Sequence, residues 1–126
     1  MNLNTIYLKP GSEFSTYITS WALKLGIQTA DYDFKAEELG AEGLLLINEN
    51  QDIEKEIDDL HNQFYKKHYP TQKIDINGTL QVAVSNFDIW MKSFKCKEIL
   101  ILGSDNLVKN DNLERFFNKL ESNSLS

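Results

Sequence analysis

The spacing of apolar and polar positions changes period several times along the chain, and each change marks an element. Thr5-Ile6-Tyr7-Leu8 is a short β-branched and aromatic run stopped by Lys9-Pro10-Gly11, which predicts a strand followed by a turn. From Ser12 the spacing becomes helical: Phe14, Ile18, Trp21 and Leu25 fall on one stripe, with Ser12 as N-cap and Gly26 just past the end. Ile27 to Tyr32 reads as a polar strand, and Lys35 to Leu39 as no more than a helical turn closed by Gly40. Gly43-Leu44-Leu45-Leu46-Ile47 is unbroken apolar, as a strand covered on both faces requires. Ile53, Ile57, Leu60 and Phe64 then define a second helix with Asp52 or Asn50 as its cap. Its start is acidic and its end carries Lys66 and Lys67, the order the helix dipole favours.

Tyr69-Pro70 ends that helix, and Lys73 to Ile76 alternates as a peripheral fourth strand before the turn Asn77-Gly78-Thr79, where Thr79 caps a third helix. Leu80, Val84, Phe87, Met91 and Phe94 form the stripe of that helix, while Val82, Ile89 and Trp90 extend its apolar surface beyond what one sheet face covers. This surplus predicts a homodimer through the third helix, with Ile89 and Trp90 as anchors. Ile99 to Gly103 is a second fully apolar strand, followed by a polar loop and a helix built on Leu113, Phe116, Phe117 and Leu120. Residues 121–126 read as a frayed polar tail behind a single domain spanning 1–120.

Alternating strands and helices imply right-handed crossovers and hence an α/β fold: a three-layer, Rossmann-like α/β/α domain with a mostly parallel sheet of about five strands. Ligands of such sheets sit outside the carboxyl ends of the strands where strand order reverses, expected here beside the first and third strands. The rim is then Lys9 to Ser12, Asp31 to Asp33, Asn48 to Asp52, Asn77 to Thr79 and Ser104 to Asn106.

Composition narrows the function. With 13 basic against 19 acidic residues the net charge is −6, which argues against nucleic acid as partner. Met1-Asn2-Leu3-Asn4 lacks the features of a secretory signal and no apolar run approaches a membrane span, so a cytoplasmic chain with no membrane partner is expected. The single Cys96 can form neither an internal disulfide nor a cysteine cluster, and Lys95 and Lys97 beside it are the only sign of an activated thiol. His61 and His68 are seven residues apart, roughly 10 Å along a helix, too far to share a metal ion. Glu49 and Asp52 have the form of a carboxylate pair, but helix capping and solvation explain them more simply. Asp31 to Asp33 fall where dinucleotide folds place an acid for ribose hydroxyls.

Several strings together resemble the Rossmann-like superfamily called SLOG, particularly its YpsA-like and molybdenum-carrier branch. Ala22-Leu23-Lys24-Leu25-Gly26-Ile27 is similar to the A-L-x-L-G-I string that ends the first helix there, and Glu42-Gly43-Leu44-Leu45-Leu46-Ile47 to its D-G-T-L-I-L strand. Trp90, Ile99 to Gly103 and Leu113 to Leu120 match its closing helix, strand and helix, so the resemblance spans residues 5–120. The departures fall at the phosphate loops. Where the family has S-G-G-x-T-G, this chain has Leu8-Lys9-Pro10-Gly11-Ser12-Glu13, and the G-G-T turn after the third strand is replaced by Asn48-Glu49-Asn50-Gln51-Asp52-Ile53. Carboxylates at Glu49, Asp52, Glu54 and Glu56 would oppose an incoming phosphate, leaving Lys9 with the Ser12 end of the first helix as the place for one.

The resemblance thus implies a nucleotide or nucleoside derivative as ligand. The reading is a non-catalytic small-molecule-binding or regulatory domain with no cofactor and no catalytic or metal residues, and Lys9, Gly11, Ser12, Asp33, Asn48, Glu49, Asn50 and Ser104 as candidate ligand-binding residues. The alternatives are a protein-interaction adaptor with a lost pocket, and a nucleotide-processing hydrolase or glycosyl-transferring enzyme using Glu49, with Asp33 positioning a ribose.

Overall fold

A computed structural model describes residues 3–77, 79–109 and 111–124, apart from the side chains of 123 and 124; Gly78 of the expected turn lies outside them. Five strands are seen among these residues, β1 (Thr5–Leu8), β2 (Gln28–Asp31), β3 (Gly43–Asn48), β4 (Thr71–Asp75) and β5 (Glu98–Gly103). Four helices join and follow them: α1 (Glu13–Lys24), α2 (Lys55–Lys66), α3 (Leu80–Phe94) and α4 (Asn112–Ser124), with a 3₁₀ turn over Asp105–Lys109. All strand pairs are parallel and the order is β2-β1-β5-β3-β4. The protein has the expected three-layer Rossmann-like α/β/α fold.

The fully apolar strands β3 and β5 are central, and their alternate residues serve two cores. Leu45, Ile47, Ile99 and Ile101 face α1, α3 and α4, whereas Leu44, Leu46, Leu100 and Leu102 face α2 and the segment carrying Tyr32, Leu39 and Ala41. Connections that move the chain one way across the sheet use the first face, and those that move it back use the second, as a common crossover hand demands. Lys35 to Leu39 form turns rather than helix, with Asp33 Oδ1 accepting the Lys35 N–H at 2.9 Å.

Several details differ from the sequence reading. β1 and β3 are not neighbours, because β5 inserts between them and pairs with both. α2 begins at Lys55 behind Glu54 without a side-chain cap, not behind Asn50 or Asp52. On α3 the buried stripe is Ala83, Val84, Phe87 and Trp90; Phe94 is 53% exposed and Trp90 only 4%. Trp90 is therefore a core residue and no surface anchor, because α3 rotates its 83/87/90 edge toward the sheet and α4. Ile89 and Val82 stay outside, at 61% and 56% exposure. α4 runs past Leu120 to Ser124, since continuing a helix needs only i→i−4 bonds and no apolar face. Leu125 and Ser126 of the expected tail lie outside the described residues.

His61 is buried on α2, stacked on Tyr65 with 6.4 Å between ring centroids, and its Nδ1 has no partner among the described residues. Burial first, and Lys73 second, hold its imidazole below the usual range, outweighing Asn62 and Asp58. As pH falls below about 6.5 the unfolded chain takes up a proton that folded His61 resists, so stability falls with pH in that window. We expect the urea midpoint to drop between pH 7.5 and pH 5 by a margin that His61→Leu reduces; an unchanged drop in the variant would assign it to other groups.

Candidate functional site

The carboxyl edge of the sheet gathers the loops after all five strands, and their backbone N–H groups are the natural ligands for an anion. After β1 and β3, several of those donors already have partners within the chain. At the start of α1, the Ser12 hydroxyl accepts the Ser15 N–H at 3.0 Å, and Asp105, arriving from the turn after β5, accepts the Phe14 N–H at 3.0 Å. A carboxylate from the chain itself thus stands where the dipole of α1 would attract a phosphate. After β3, Asn50 N–H donates to Asp75 Oδ1 at 3.1 Å, Gln51 N–H to Asn48 Oδ1 at 3.0 Å, and Asp52 N–H to the Glu49 carbonyl at 3.1 Å. Asn50 and Gln51 both have φ of 59°, the left-handed conformation of a turn closed on itself.

The candidate residues divide into groups. Lys9, Gly11 and Ser12 line one cleft of about 300 Å³ between α1 and the ends of β1 and β2, together with Asp31. Asn48 is buried and ties β3 to β4 by donating from Nδ2 to the Ile74 carbonyl at 3.3 Å. Asn50 Oδ1 accepts from Asn77 Nδ2, and Glu49 Oε2 accepts from Asn112 Nδ2 at the start of α4 at 2.9 Å. Ser104 Oγ accepts the Asn106 N–H at 3.2 Å, and Asp33 closes its own turn. Lys9 Nζ lies 3.9 Å from Glu56 of α2. Cys96 is buried, and burial followed by Glu42 pushes its thiol up, away from a nucleophile's requirements.

In the cleft shared by Lys9, Gly11 and Ser12, the hydroxyls of Ser12 and α1 have a consistent polarity. Thr16 Oγ1 donates to the Ser12 carbonyl at 3.2 Å, Thr19 Oγ1 to the Ser15 carbonyl at 2.8 Å and Ser20 Oγ to the Thr16 carbonyl at 3.3 Å. Ser12 Oγ donates to Ser15 Oγ at 2.7 Å, which in turn donates to the Lys9 carbonyl at 2.6 Å. With these protons committed, the hydroxyls offer lone pairs to the cleft, and Asp31 adds a carboxylate. Such hydroxyls suit a ligand rich in O–H and N–H donors, while the Lys9 ammonium stands opposite in charge to Asp31 in the same lining. Sequence reasoning named Ser12 and Asp31 but passed over Thr16 and Thr19, whose signal was their helical spacing from Ser12 opposite the apolar stripe.

These features define a Rossmann-like α/β domain whose loops after β1 and β3 are closed by the chain's own hydrogen bonds. Among solved structures the chain is similar to the crystal structure of "Putative molybdenum carrier protein" from Syntrophus aciditrophicus SB, with a TM-score of 0.69 and 12% identity over 94% of each chain. That likeness establishes a shared fold. No protein-family model and no curated protein matches the sequence. Among the described residues no helix is long and apolar enough to cross a membrane.

Proposed function

We propose that the chain is a non-catalytic small-molecule-binding domain whose ligand is a neutral, donor-rich compound of nucleoside type, held in the cleft of Lys9, Gly11, Ser12, Thr16, Thr19 and Asp31. What carries this reading is the commitment of the cleft's hydroxyl protons to the chain's own oxygens, which leaves an acceptor-rich wall. Asp31 lies at the carboxyl end of β2, where an acid engages ribose hydroxyls in dinucleotide folds. The molybdenum-carrier name of the structural neighbour supports a ligand-carrying role in general terms, but an oxyanion would meet carboxylates at this edge. Glu49 engages Asn112 and lies outside the cleft, so no catalytic role is assigned to it.

Thermal shift with nucleosides and their 5′-phosphates tests the reading. At ligand concentrations about 100-fold above Kd the stabilisation is about 2.7 kcal/mol. Nucleosides are expected to raise Tm, their 5′-phosphates to raise it less, and Asp31→Asn to remove most of the nucleoside effect. No stabilisation by any nucleoside at millimolar concentration would overturn it. The homodimer reading loses Trp90 to the core and keeps Ile89 as its anchor, with Val82 also exposed on α3. Light scattering of the chain and of Ile89→Lys decides it, a monomer in both cases removing it.

A further inference from the structure

At the opposite flank of the same edge, a cleft of about 500 Å³ opens between the start of α3 and the first half of α4. Its wall on α4 is Arg115, Asn118 and Lys119, spaced three and four residues apart and so on one helical face, and its wall on α3 is Thr79, Leu80 and Gln81. Two cations converge here in a chain with net charge −6, and Arg115 is its one arginine. Among the described residues no carboxylate lines the cleft, and neither Arg115 nor Lys119 forms an ion pair. The carboxylates that fill the other loops are missing at this corner: the first turn of α3 holds no acidic residue, and the Thr79 hydroxyl makes no capping bond.

We propose that this cleft binds a small phosphorylated ligand, with Arg115 and Lys119 as the anion-binding residues and the α3 wall supplying hydrogen bonds. The paired cations carry the assignment. Arg115 offers a planar fork matched to two phosphate oxygens, and Lys119, one turn on, offers a point charge from the same side. Asn118 between them can donate an amide hydrogen bond to a third oxygen. The start of α3 adds a dipole of the right sign, a contribution secondary to that of the two side chains. A long polyanion is disfavoured because the chain as a whole carries a net charge of −6, so the ligand is a small phosphate ester or inorganic phosphate.

The test is a nitrogen-15 NMR titration of the full chain with inorganic phosphate at low ionic strength, read at the Leu80 and Gln81 amides and the Arg115 guanidinium. Saturable shifts are expected at these groups. Arg115→Gln and Lys119→Gln should each weaken binding by about fivefold or more, the double variant should abolish it, and added salt should weaken it in the wild type. Both side chains lie at the helix surface, so melting temperatures should change little and a lost signal would report binding, not unfolding. No saturable shift in the wild type, or equal affinity in the double variant, would overturn the proposal. A second titration with a phosphate monoester separates a preference for the ester from binding of free phosphate.

Discussion

Gly103→Ala is expected to destabilise the protein by about 3 kcal/mol, although it adds a single methyl group. A Cβ at this position would lie 2.6 and 2.7 Å from two ring carbons of Phe14 and 3.0 Å from Leu107 Cδ1. Phe14 is buried against the sheet and Leu107 is buried in the 3₁₀ turn, so neither neighbour has free space to enter. Relief must come from moving α1 away from the turn after β5, the movement that separates Asp105 from the Phe14 N–H. The variant should therefore show a lower urea midpoint and faster hydrogen exchange at the Phe14 amide. A cost below about 1 kcal/mol would mean that α1 and the turn are less tightly apposed than described.

Phe116→Ala should cost still more, about 4 kcal/mol, a large share of the 5–15 kcal/mol of an ordinary domain. The ring is fully buried, 6.2 Å from Phe87 of α3 and 5.1 Å from Phe117, edge-on to both. Its removal leaves a cavity at the contact that holds α3 against α4, and backbone-fixed helices cannot collapse into it fully. Urea unfolding followed by the fluorescence of Trp21 and Trp90, both in this core, measures the loss. A loss under about 2 kcal/mol would imply that the two helices close over the gap.

The layers of the fold were legible in the sequence because its strongest signals are local. The unbroken apolar runs at 43–47 and 99–102 can be buried only between two helical layers, and both lie at the sheet centre. Ser12 and Gly26 marked the ends of α1 correctly, since the cap bond and the φ of 71° at Gly26 depend on nearby residues alone. The strand order was not legible: both apolar strands suit a central place, and the insertion of β5 between β1 and β3 is fixed by long-range packing. α3 has apolar residues around most of its circumference, so Val84 and Phe87 of the expected stripe are buried, but packing against α4 completes the buried edge with Ala83 and Trp90 and leaves Leu80 and Met91 partly buried and Phe94 exposed.

The site was legible as an edge but not as a surface. Acidic crowding after β3 could be read from Glu49, Asp52, Glu54 and Glu56. The closure at α1 could not, because Asp105 reaches the Phe14 amide across 91 residues of sequence. The acceptor character of the first cleft depends on where the hydroxyl protons of Thr16, Thr19 and Ser20 are donated, which spacing alone does not specify.

The central claim is that the loops after β1 and β3 have given their anion-binding amides to the chain's own oxygens. Its most direct measurement is a pyrophosphate titration of uniformly nitrogen-15-labelled protein, followed at the amides of Phe14, Asn50 and Gln51. The three resonances are expected to stay in place while Asp105, Asp75 and the Asn48 side-chain carbonyl hold their amides, whatever moves at Leu80 and Gln81. Saturable shifts of Phe14, or of Asn50 and Gln51 together, would show that pyrophosphate displaces these internal acceptors and would contradict it.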